Sequence, residues 1–189
     1  MGRRPGAGSP PQCSGRHAAQ PSLAGLRLVP VPGVQLCACT AANVNELQTL
    51  IMSVLPVRYP KSFYKSILSD PRLCRYARSD GRLVAAIVLQ REGGKRRQPP
   101  SDMTVMLICV LAAYRRQGIG SLLLADMAET VCNEPDLAAG VEGLGLHVHV
   151  ANSEARAFYG AIGFRSVERV EGYFPHLLPP DGLKLRLEL

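Results

Sequence analysis

Apolar and polar residues alternate along the chain with two different periods, which divide it into strands and helices. A helical spacing runs from about Ala41 to Val54, and Thr40 is positioned to cap this helix. The most apolar run, 103–111, is typical of a strand covered on both faces. The predicted order is strand 34–39, helix 41–54, short helix 62–68, strands 76–78, 83–90 and 103–111, helix 118–132, strand 145–150, a helix between Asn152 and Gly163, and strands 164–170 and 183–189. This order predicts a mixed α/β fold, with one central mixed β-sheet flanked by helices.

The first 33 residues differ in composition from the rest of the chain. They are rich in Gly, Pro, Ala, Ser and Arg, show no periodicity and contain no acidic residue. We expect residues 1–33 to form a disordered N-terminal extension, followed by a single domain at 34–189. The same composition also fits a transit peptide for an organelle, whereas a secretory signal would need a long apolar run.

The net charge of +7 is unevenly distributed, because residues 1–33 carry +4 and residues 34–189 carry only +3. A mildly basic domain suits an anionic cofactor as well as nucleic acid. The cations Lys95, Arg96 and Arg97 fall in a polar loop predicted at 91–102, where a solvated surface is the usual explanation. We therefore expect no specific nucleic-acid partner. No stretch approaches the roughly 20 apolar residues of a membrane span, so we also expect no membrane partner.

The six cysteines show no C-x-x-C spacing and mostly lie in apolar runs, which favours buried free thiols in a reducing compartment. Cys37 and Cys39 share one face of a predicted strand, but nothing nearby supplies the further ligands of a structural zinc. His147 and His149 also share one strand face. One functional histidine beside an incidental neighbour is our interpretation of this pair, with a metal pair or two structural histidines as alternatives. We predict no metal.

The segment Arg115–Gly120 lies between the buried strand and a helix, and its sequence RRQGIG predicts an anion site. Glycines let the backbone approach a ligand closely, and the first N–H groups of the helix point at it. The third glycine of a dinucleotide-binding fingerprint and the Gly-Lys-Ser/Thr ending of a P-loop are both missing. A tight strand-to-helix turn without a ligand is the plain alternative.

Two blocks of sequence resemble the GNAT acetyltransferase superfamily. The run Arg115-x-x-Gly118-x-Gly120 matches the R/Q-x-x-G-x-G/A signature that cradles the pyrophosphate of CoA in that family. The later run from Asn152 through Tyr159 to Phe164 resembles its N-x-x-A-x-x-F/Y-Y-x-x-x-G-F segment. The resemblance covers residues 34–189 and implies a single GNAT fold that uses acetyl-CoA.

Within the superfamily, the segments Leu55–Tyr59 and Leu107–Arg116 resemble protein N-terminal acetyltransferases of the NatE type, with NatF-type enzymes as neighbours. This implies acetyl transfer to the α-amino group of protein N-termini, in particular Met followed by a hydrophobic residue. The implied cofactor-binding residues are Ile108, Cys109, Val110, Arg115, Arg116, Gln117, Gly118, Ile119, Gly120, Ser121, Asn152 and Tyr159. The implied substrate-binding residues are Leu55, Pro56, Val57, Tyr59, Met106, His147, Tyr173 and Phe174.

The resemblance also assigns the chemistry, with His147 as the catalytic base and Tyr159 beside the CoA sulfur. A partner tyrosine expected two residues before Met106 is replaced by Thr104, which can orient a water but cannot act as a phenolate-type base. Either His147 works through water alone, or the substrate range differs. A modest base suffices for a peptide α-ammonium, since its pKa of about 7.7–8.0 lies close to the 6.5 of an ordinary histidine.

Two other functions stay open. The first is a GNAT enzyme that acetylates lysine side chains or a small amine. A lysine amine has a pKa near 10.4 and therefore needs a stronger base. For a polyamine we would expect carboxylates in the pocket, and the segment Leu55–Phe63 contains none. An inactive CoA-binding scaffold is the other. The resemblance further implies association with a NatA-type complex or the ribosome. It also implies a cytoplasmic location, extending to the nucleus, unless residues 1–33 direct the chain to an organelle.

Overall fold

The structure is a computed structural model, and it describes residues 26–55, 57–91 and 101–189. Within these ranges seven strands and five α-helices follow one another along the chain. Their bounds are β1 Val34–Ala38, α1 Val44–Val54, α2 Lys61–Ser69, β2 Cys74–Ser79, β3 Arg82–Arg91, β4 Ser101–Val110, α3 Ile119–Asn133, α4 Pro135–Ala138, β5 Val141–His149, α5 Ser153–Ile162, β6 Arg165–Val170 and β7 Gly182–Glu188. The predicted mixed α/β class and the element order are confirmed.

The strands form one sheet in the order β1-β2-β3-β4-β5-β7-β6. All neighbours are antiparallel except β4 and β5, which run parallel. The chain reaches β5 from β4 through α3 and α4, as a parallel pair requires a long crossover. The sheet therefore consists of two antiparallel parts joined at β4 and β5.

The parallel pair is incomplete. The register of β4 with β5 ends at Thr104 opposite Gly145, although β4 continues to Val110 and β5 to His149. On its other side β4 stays paired with β3 as far as Val110. The two parallel strands thus diverge beyond Thr104, and the backbone groups of β4 that face β5 border an opening in the sheet. Buried backbone groups need partners, so an opening of this kind is a natural ligand position.

Helices cover both faces of the sheet. On one face α3 and α5 enclose a core that includes Leu123, Leu144 and Ile162. On the other face α1 and α2 enclose a second core that includes Leu47 and Phe63. Alternate residues of β4 (103, 105, 107 and 109) are buried, and the residues between them are half-buried. The structure agrees with the prediction of a strand covered on both faces, and the half-buried positions are those beside the opening.

A β-bulge re-aims the residues of β4 next to the opening. Val88 pairs with Leu107 and Leu89 with Val105, so Met106 has no partner residue on β3. Met106 and Leu107 consequently both pack against the α1/α2 core, whereas Ile108 packs against the α3/α5 core. Bulges of this kind change the face to which the following residues point.

The start of α1 differs from its prediction. The helix begins at Val44 rather than Ala41, and its N-cap is Asn43 rather than Thr40. The Asn43 carboxamide accepts a hydrogen bond from the Thr40 N–H at 2.7 Å and donates one to the carbonyl of Ala38 at 3.2 Å. This side chain closes a separate turn at residues 41–43, which delays the helix by one turn.

The described structure begins eight residues before the predicted domain boundary at 34. Residues 26–33 lie against the domain, with the side chain of Leu26 buried in the α3/α5 core and Val31 packed against it. The predicted disorder therefore stays a prediction for residues 1–25, which lie outside the described residues. The predicted loop at 91–102 lies outside them at 92–100, and Arg91, Ser101 and Asp102 belong to strands. Within the described ranges, no helix has the length and apolar character needed to cross a membrane.

Candidate active site

The turn between β4 and α3 forms one end of the candidate site. Arg116 and Gly118 both have positive φ, 62° and 85°, and Gly118 is the N-cap of the 15-residue helix α3. The first helical hydrogen bond at this end runs from the Leu122 N–H to the Gly118 carbonyl at 2.9 Å. The N–H groups of Ile119, Gly120 and Ser121 therefore lie at the open, positive end of the helix, where an anion is stabilised.

Side chains of this turn hold its shape. Arg115 donates from Nε to the Val110 carbonyl at 3.2 Å, and Gln117 donates to the Ala113 carbonyl at 3.1 Å. Arg115, Arg116 and Gln117 are exposed, so their remaining donors face solvent. Ile119 is buried, and only its backbone is available to a ligand.

Gly120 allows α3 and α5 to approach each other closely. A Cβ at this position would lie 3.1 Å from Cζ of Phe158 and 3.8 Å from Cδ1 of Ile108. The sequence suggested that this glycine makes room for a ligand. In the structure it makes room for an aromatic ring, and that contact positions α5 beside the opening of the sheet.

Helix α5 begins and ends as predicted, with Asn152 as N-cap and Gly163 as C-cap. The Oδ1 atom of Asn152 accepts a hydrogen bond from the Ala155 N–H at 3.0 Å, so its capping role is confirmed. The Tyr159 ring is buried between Phe158 and Phe164, with centroid separations of 5.1 and 5.4 Å. Burial raises the pKa of Tyr159, which keeps its phenol protonated at neutral pH.

Between these elements lie the last residues of β4, which border the opening. Ile108 and Val110 pack toward α3 and α5, whereas the Cys109 side chain is buried toward α1 and α2. Burial raises the pKa of Cys109 to about 12, so this thiol is not a nucleophile at neutral pH. Only the backbone of Cys109 is therefore placed to contact a ligand in the opening.

The α1/α2 face of the opening carries four of the eight predicted substrate-binding residues: Leu55, Val57, Tyr59 and Met106. Tyr59 donates a long hydrogen bond of 3.4 Å to the Met106 carbonyl, and its ring stacks on Phe63 with centroids 4.1 Å apart. Burial, together with nearby Cys109 and Tyr173, raises the pKa of Tyr59. Leu55 is partly buried beside this cluster, and Val57 is exposed. Pro56 lies outside the described residues.

The loop between β6 and β7 covers the two histidines of β5. Tyr173 stacks on His147 with ring centroids 4.0 Å apart, and Phe174 meets His149 edge-on at 5.6 Å. A hydrogen bond joins Nε2 of His149 to the Pro179 carbonyl, which ties the loop down. The loop thus covers the ring of His147 with an aromatic side chain and holds His149 by a hydrogen bond.

Sequence reasoning did not anticipate what closes this loop. The Asp181 carboxylate accepts hydrogen bonds from Arg169 at 2.6 Å and from the Gly172 N–H at 3.1 Å. A Cβ at Gly182 would lie 3.2 Å from Tyr173, so this glycine lets the loop fold back on β7. The Tyr173-Phe174 pair could be recognised in the sequence. The residues that hold the loop, such as Arg169 and Asp181, are of types common on protein surfaces and gave no signal.

Thr104 lies where β4 and β5 separate, on the same face as His147. Its register partner on β5 is Gly145, which has no side chain to fill the space beside it. The Thr104 hydroxyl oxygen is buried, and among the described residues it is the one buried side-chain oxygen or nitrogen with no hydrogen-bond partner. Buried polar groups are normally satisfied, so this hydroxyl is suited to bind a water or a polar group of a ligand.

Below Thr104, the carboxylate of Asp102 accepts two hydrogen bonds from Nε of Arg186, at 2.9 and 3.0 Å. This ion pair links β4 to β7 across Gly143 and Gly145 of β5. It fixes the closed end of the opening. Sequence analysis missed both residues, because their partnership depends on the strand order.

These features suit a long ligand with an anionic part and a reactive end. The turn before α3 suits the anionic part, and the opening between β4 and β5, beside the aromatic loop, suits the reactive end. The model of the acetyltransferase (GNAT) family matches residues 44–164. This match covers more than half of the chain, and the chain belongs to that family. It is an acetyltransferase whose acetyl donor is acetyl-CoA, and the helix terminus and the opening between β4 and β5 fit that molecule.

Among its relatives is N-alpha-acetyltransferase 50 of Danio rerio, which is 28% identical over 156 residues, with 82% of this chain and 89% of the relative covered. A solved structure of Arabidopsis thaliana Naa50 with the bisubstrate analogue CoA-Ac-MVNAL is 25% identical, with a TM-score of 0.72 and 83% and 99% of the two chains covered. Arabidopsis thaliana NAA60 with acetyl-CoA is 18% identical, with a TM-score of 0.67 and 82% and 99% covered. At that identity it supports the fold alone.

Proposed function

We propose that this acetyltransferase modifies the α-amino group of protein N-termini, with a preference for Met followed by a hydrophobic residue. The observation that carries the proposal is the position of His147 beside the opening between β4 and β5, under the stacked ring of Tyr173. The similarity to N-alpha-acetyltransferase 50, and to a structure that contains a Met-Val peptide analogue, supports the same substrate class.

The donor side is formed by the turn and by the two helix starts. Backbone N–H groups at Ile119, Gly120 and Ser121 would bind the pyrophosphate, assisted by the exposed side chains of Arg115 and Arg116. When bound, acetyl-CoA supplies the acetyl group as a thioester. Backbone N–H groups around Ile108–Val110 would hold the carbonyl oxygen as negative charge develops on it.

Two side chains would take part in the proton transfers. Tyr159 keeps its proton, because burial raises its pKa, and its Oη is suited to donate toward the departing sulfur. His147 would remove the proton of the attacking amine through a water held by the unsatisfied hydroxyl of Thr104. This assignment gives Thr104 the water-orienting role that the sequence left open.

The acceptor face argues against small cationic substrates. Leu55, Val57, Tyr59, Met106 and Tyr173 are apolar or aromatic, and none of them supplies a carboxylate for a polyamine. An apolar first side chain of a peptide is the natural occupant of such a surface. Lysine side chains need a stronger base than His147 with Thr104 provides.

The test is acetyl transfer to peptides that begin Met-Leu, Met-Ala, Ser-Glu or Asp-Glu, beside an α-blocked lysine peptide. We expect selective turnover of the Met-Leu peptide and its loss in His147→Ala. His176→Ala, on the same loop as Tyr173 but exposed, is the matched control. Turnover confined to the lysine peptide would overturn the proposal, and inactivity on all peptides despite acetyl-CoA binding would favour a small amine or a scaffold.

We also propose that this enzyme is located in the cytoplasm and acts near the ribosome or together with a NatA-type complex. This part rests on the family resemblance. Expression with a C-terminal fluorescent tag, with and without residues 1–25, tests the location. An organellar signal that requires those residues would replace the cytoplasmic assignment.

A further inference from the structure

A pair of cysteines lies outside the candidate site, at the end of the sheet where β1 meets β2. The register of these antiparallel strands ends with Ala38 opposite Arg75. Cys39 directly follows β1 and Cys74 is the first residue of β2, so the same register continued by one residue sets them opposite each other. Both side chains are buried in the core beneath α1 and α2.

This placement suits a disulfide bond. Opposite residues of an antiparallel ladder have Cα atoms about 4.5 or 5.5 Å apart, depending on the pair type. Both values fall in the range of about 4.4–6.8 Å that a disulfide spans. Cys109 is a poorer partner for Cys74, because β3 lies between their strands and two strand spacings add to more than 9 Å.

The surroundings of Cys39 favour its reactive form. Its sulfur lies 3.0 Å from the hydroxyl of Tyr76, in hydrogen-bond contact. A hydrogen bond from Cys74, more than that from Tyr76, lowers the pKa of Cys39 to about 7, against the opposing effect of burial. The same contact and burial raise the pKa of Cys74. One thiol of the pair is therefore close to ionisation at neutral pH, and the thiolate is the nucleophile.

A surface cleft borders this end of the sheet on the opposite face. It has a volume of about 530 Å³ and lies between the end of β1, residues 71–75 and α3. The ion pair of Arg75 and Asp126, whose atoms are 2.6 Å apart, forms part of its wall. The side chains of Cys39 and Cys74 are buried on the α1/α2 side of the sheet, so the pair is shielded from solvent in the folded state.

We propose that Cys39 and Cys74 form a reversible redox pair, in which hydrogen peroxide that enters by local opening at the end of β1 converts the two thiols into a disulfide that ties β1 to β2.

The reaction balances in two steps. The Cys39 thiolate attacks one oxygen of hydrogen peroxide, the O–O bond breaks, and the Cys39 sulfur becomes a sulfenic acid as hydroxide takes up a proton to form water. The Cys74 sulfur then attacks the Cys39 sulfur, the S–O bond breaks, and the proton of Cys74 leaves with the oxygen as a second water. Two thiols are oxidised and one peroxide is reduced to two waters.

The closed loop from Cys39 to Cys74 contains α1, α2 and the Leu55–Tyr59 segment. A disulfide that closes a loop of this length restricts the unfolded chain and raises stability. Oxidation should therefore raise the melting temperature of the enzyme, and a reductant such as dithiothreitol should reverse the rise.

The experiment treats the full chain with hydrogen peroxide, blocks the remaining thiols with N-ethylmaleimide, and maps cysteine peptides without reduction. We expect the intact protein to lose two hydrogen atoms and the Cys39 and Cys74 peptides to be joined, while Cys109 and Cys132 stay alkylated. The wild-type map needs no variant, so a folding defect cannot obscure it.

Cysteine variants then test which two thiols form the disulfide. Cys39→Ser and Cys74→Ser should abolish both the joined peptide and the rise in melting temperature, whereas the control Cys132→Ser should retain both. Alkylation of both Cys39 and Cys74 after oxidation would overturn the proposal. A Cys37–Cys39 bond, or Cys39 as a sulfinic acid with Cys74 still free, would overturn it as well.

Discussion

The ring of Tyr173 lies flat on the imidazole of His147, with centroids 4.0 Å apart and planes inclined by 10°. The two residues come from different parts of the sheet, since His147 is on β5 and Tyr173 is in the loop before β7. The stack covers one face of the imidazole ring. It fixes the plane of the imidazole at the mouth of the opening in the sheet.

Replacing Tyr173 should loosen both the histidine and the acceptor surface. Aromatic pairs of this kind contribute about 0.5–1.5 kcal/mol beyond their buried area, so we expect Tyr173→Ala to raise KM for a Met-Leu peptide by about twofold to tenfold. Tyr173→Phe keeps the ring and should behave like the wild type. Steady-state kinetics with varied peptide check this, and equal losses in both variants would show that the hydroxyl rather than the stack matters.

Thr104 offers a test in which activity falls while stability changes little. Thr104→Val replaces the hydroxyl, which has no hydrogen-bond partner in the protein, by a methyl of similar size. Because the hydroxyl and its water are lost together and no buried polar group is left without a partner, we expect the free energy of unfolding to change by less than about 1 kcal/mol. Loss of the bound water should lower kcat about tenfold, with little change in KM. Urea unfolding and peptide kinetics measure the two quantities.

Thr104→Ser is the control for this substitution, since it keeps the hydroxyl. It should retain most of kcat while losing a buried methyl group. A Thr104→Val protein that is clearly less stable than the wild type would mean that the hydroxyl has a structural partner, which contradicts the proposed role.

Gly120→Ala should separate α3 from α5. The added Cβ would lie 3.1 Å from Phe158, and overpacking of this kind costs about 1–3 kcal/mol. We expect a lower free energy of unfolding and weaker acetyl-CoA binding by calorimetry. Phe158→Leu in the same chain removes the clash and should restore both. Failure of the double variant to recover binding would mean that the alanine interferes with the ligand directly.

Tyr159→Phe should lower kcat about a hundredfold, the lower end of the range for a lost proton donor, and leave acetyl-CoA binding unchanged. Burial raises the pKa of this tyrosine, so the protonated form persists as pH rises through the ordinary value of about 10. The wild-type rate should therefore show no alkaline fall from this group below pH of about 10. Unchanged kcat in the phenylalanine variant would rule out the proton-donor role.

Much of the fold followed from local patterns in the sequence. The helices that follow Gly118 and Asn152 and the strand after Gly163 were predicted to within one residue, because caps and periodicity are local properties. Strand β5 begins at Val141, four residues before its predicted start. The start of α1 was predicted wrongly, since the Asn43 side chain supports a competing turn. The family resemblance brought His147, Tyr159 and Tyr173 into one hypothesis, and the structure places His147 and Tyr173 in contact.

What the sequence left unpredicted depends on pairing between distant strands. The end of the β4–β5 register at Thr104 and Gly145 decides where the opening lies, and no local pattern specifies it. The same holds for the Asp102–Arg186 pair and for the contact of Cys39 with Tyr76. The residue types in each of these contacts are common on protein surfaces or in protein cores, so the types alone do not indicate the contact.

The incomplete pairing of β4 with β5 has a consequence for biosynthesis. Strands β1 to β4 pair only with their neighbours in the chain, and β5, β6 and β7 form a second antiparallel group. Both groups contain long-range pairs: Val34 pairs with Ser79 and Gly143 with Glu188, each 45 residues apart, and Thr104 and Gly145, where the two groups join, are 41 residues apart. Contacts of this length are slow to form during folding. The proposed reaction centre lies where the two groups join. A nascent chain that has left the ribosome only as far as β4 carries Ile108–Val110 but lacks His147 and Tyr159, so activity requires the C-terminal group.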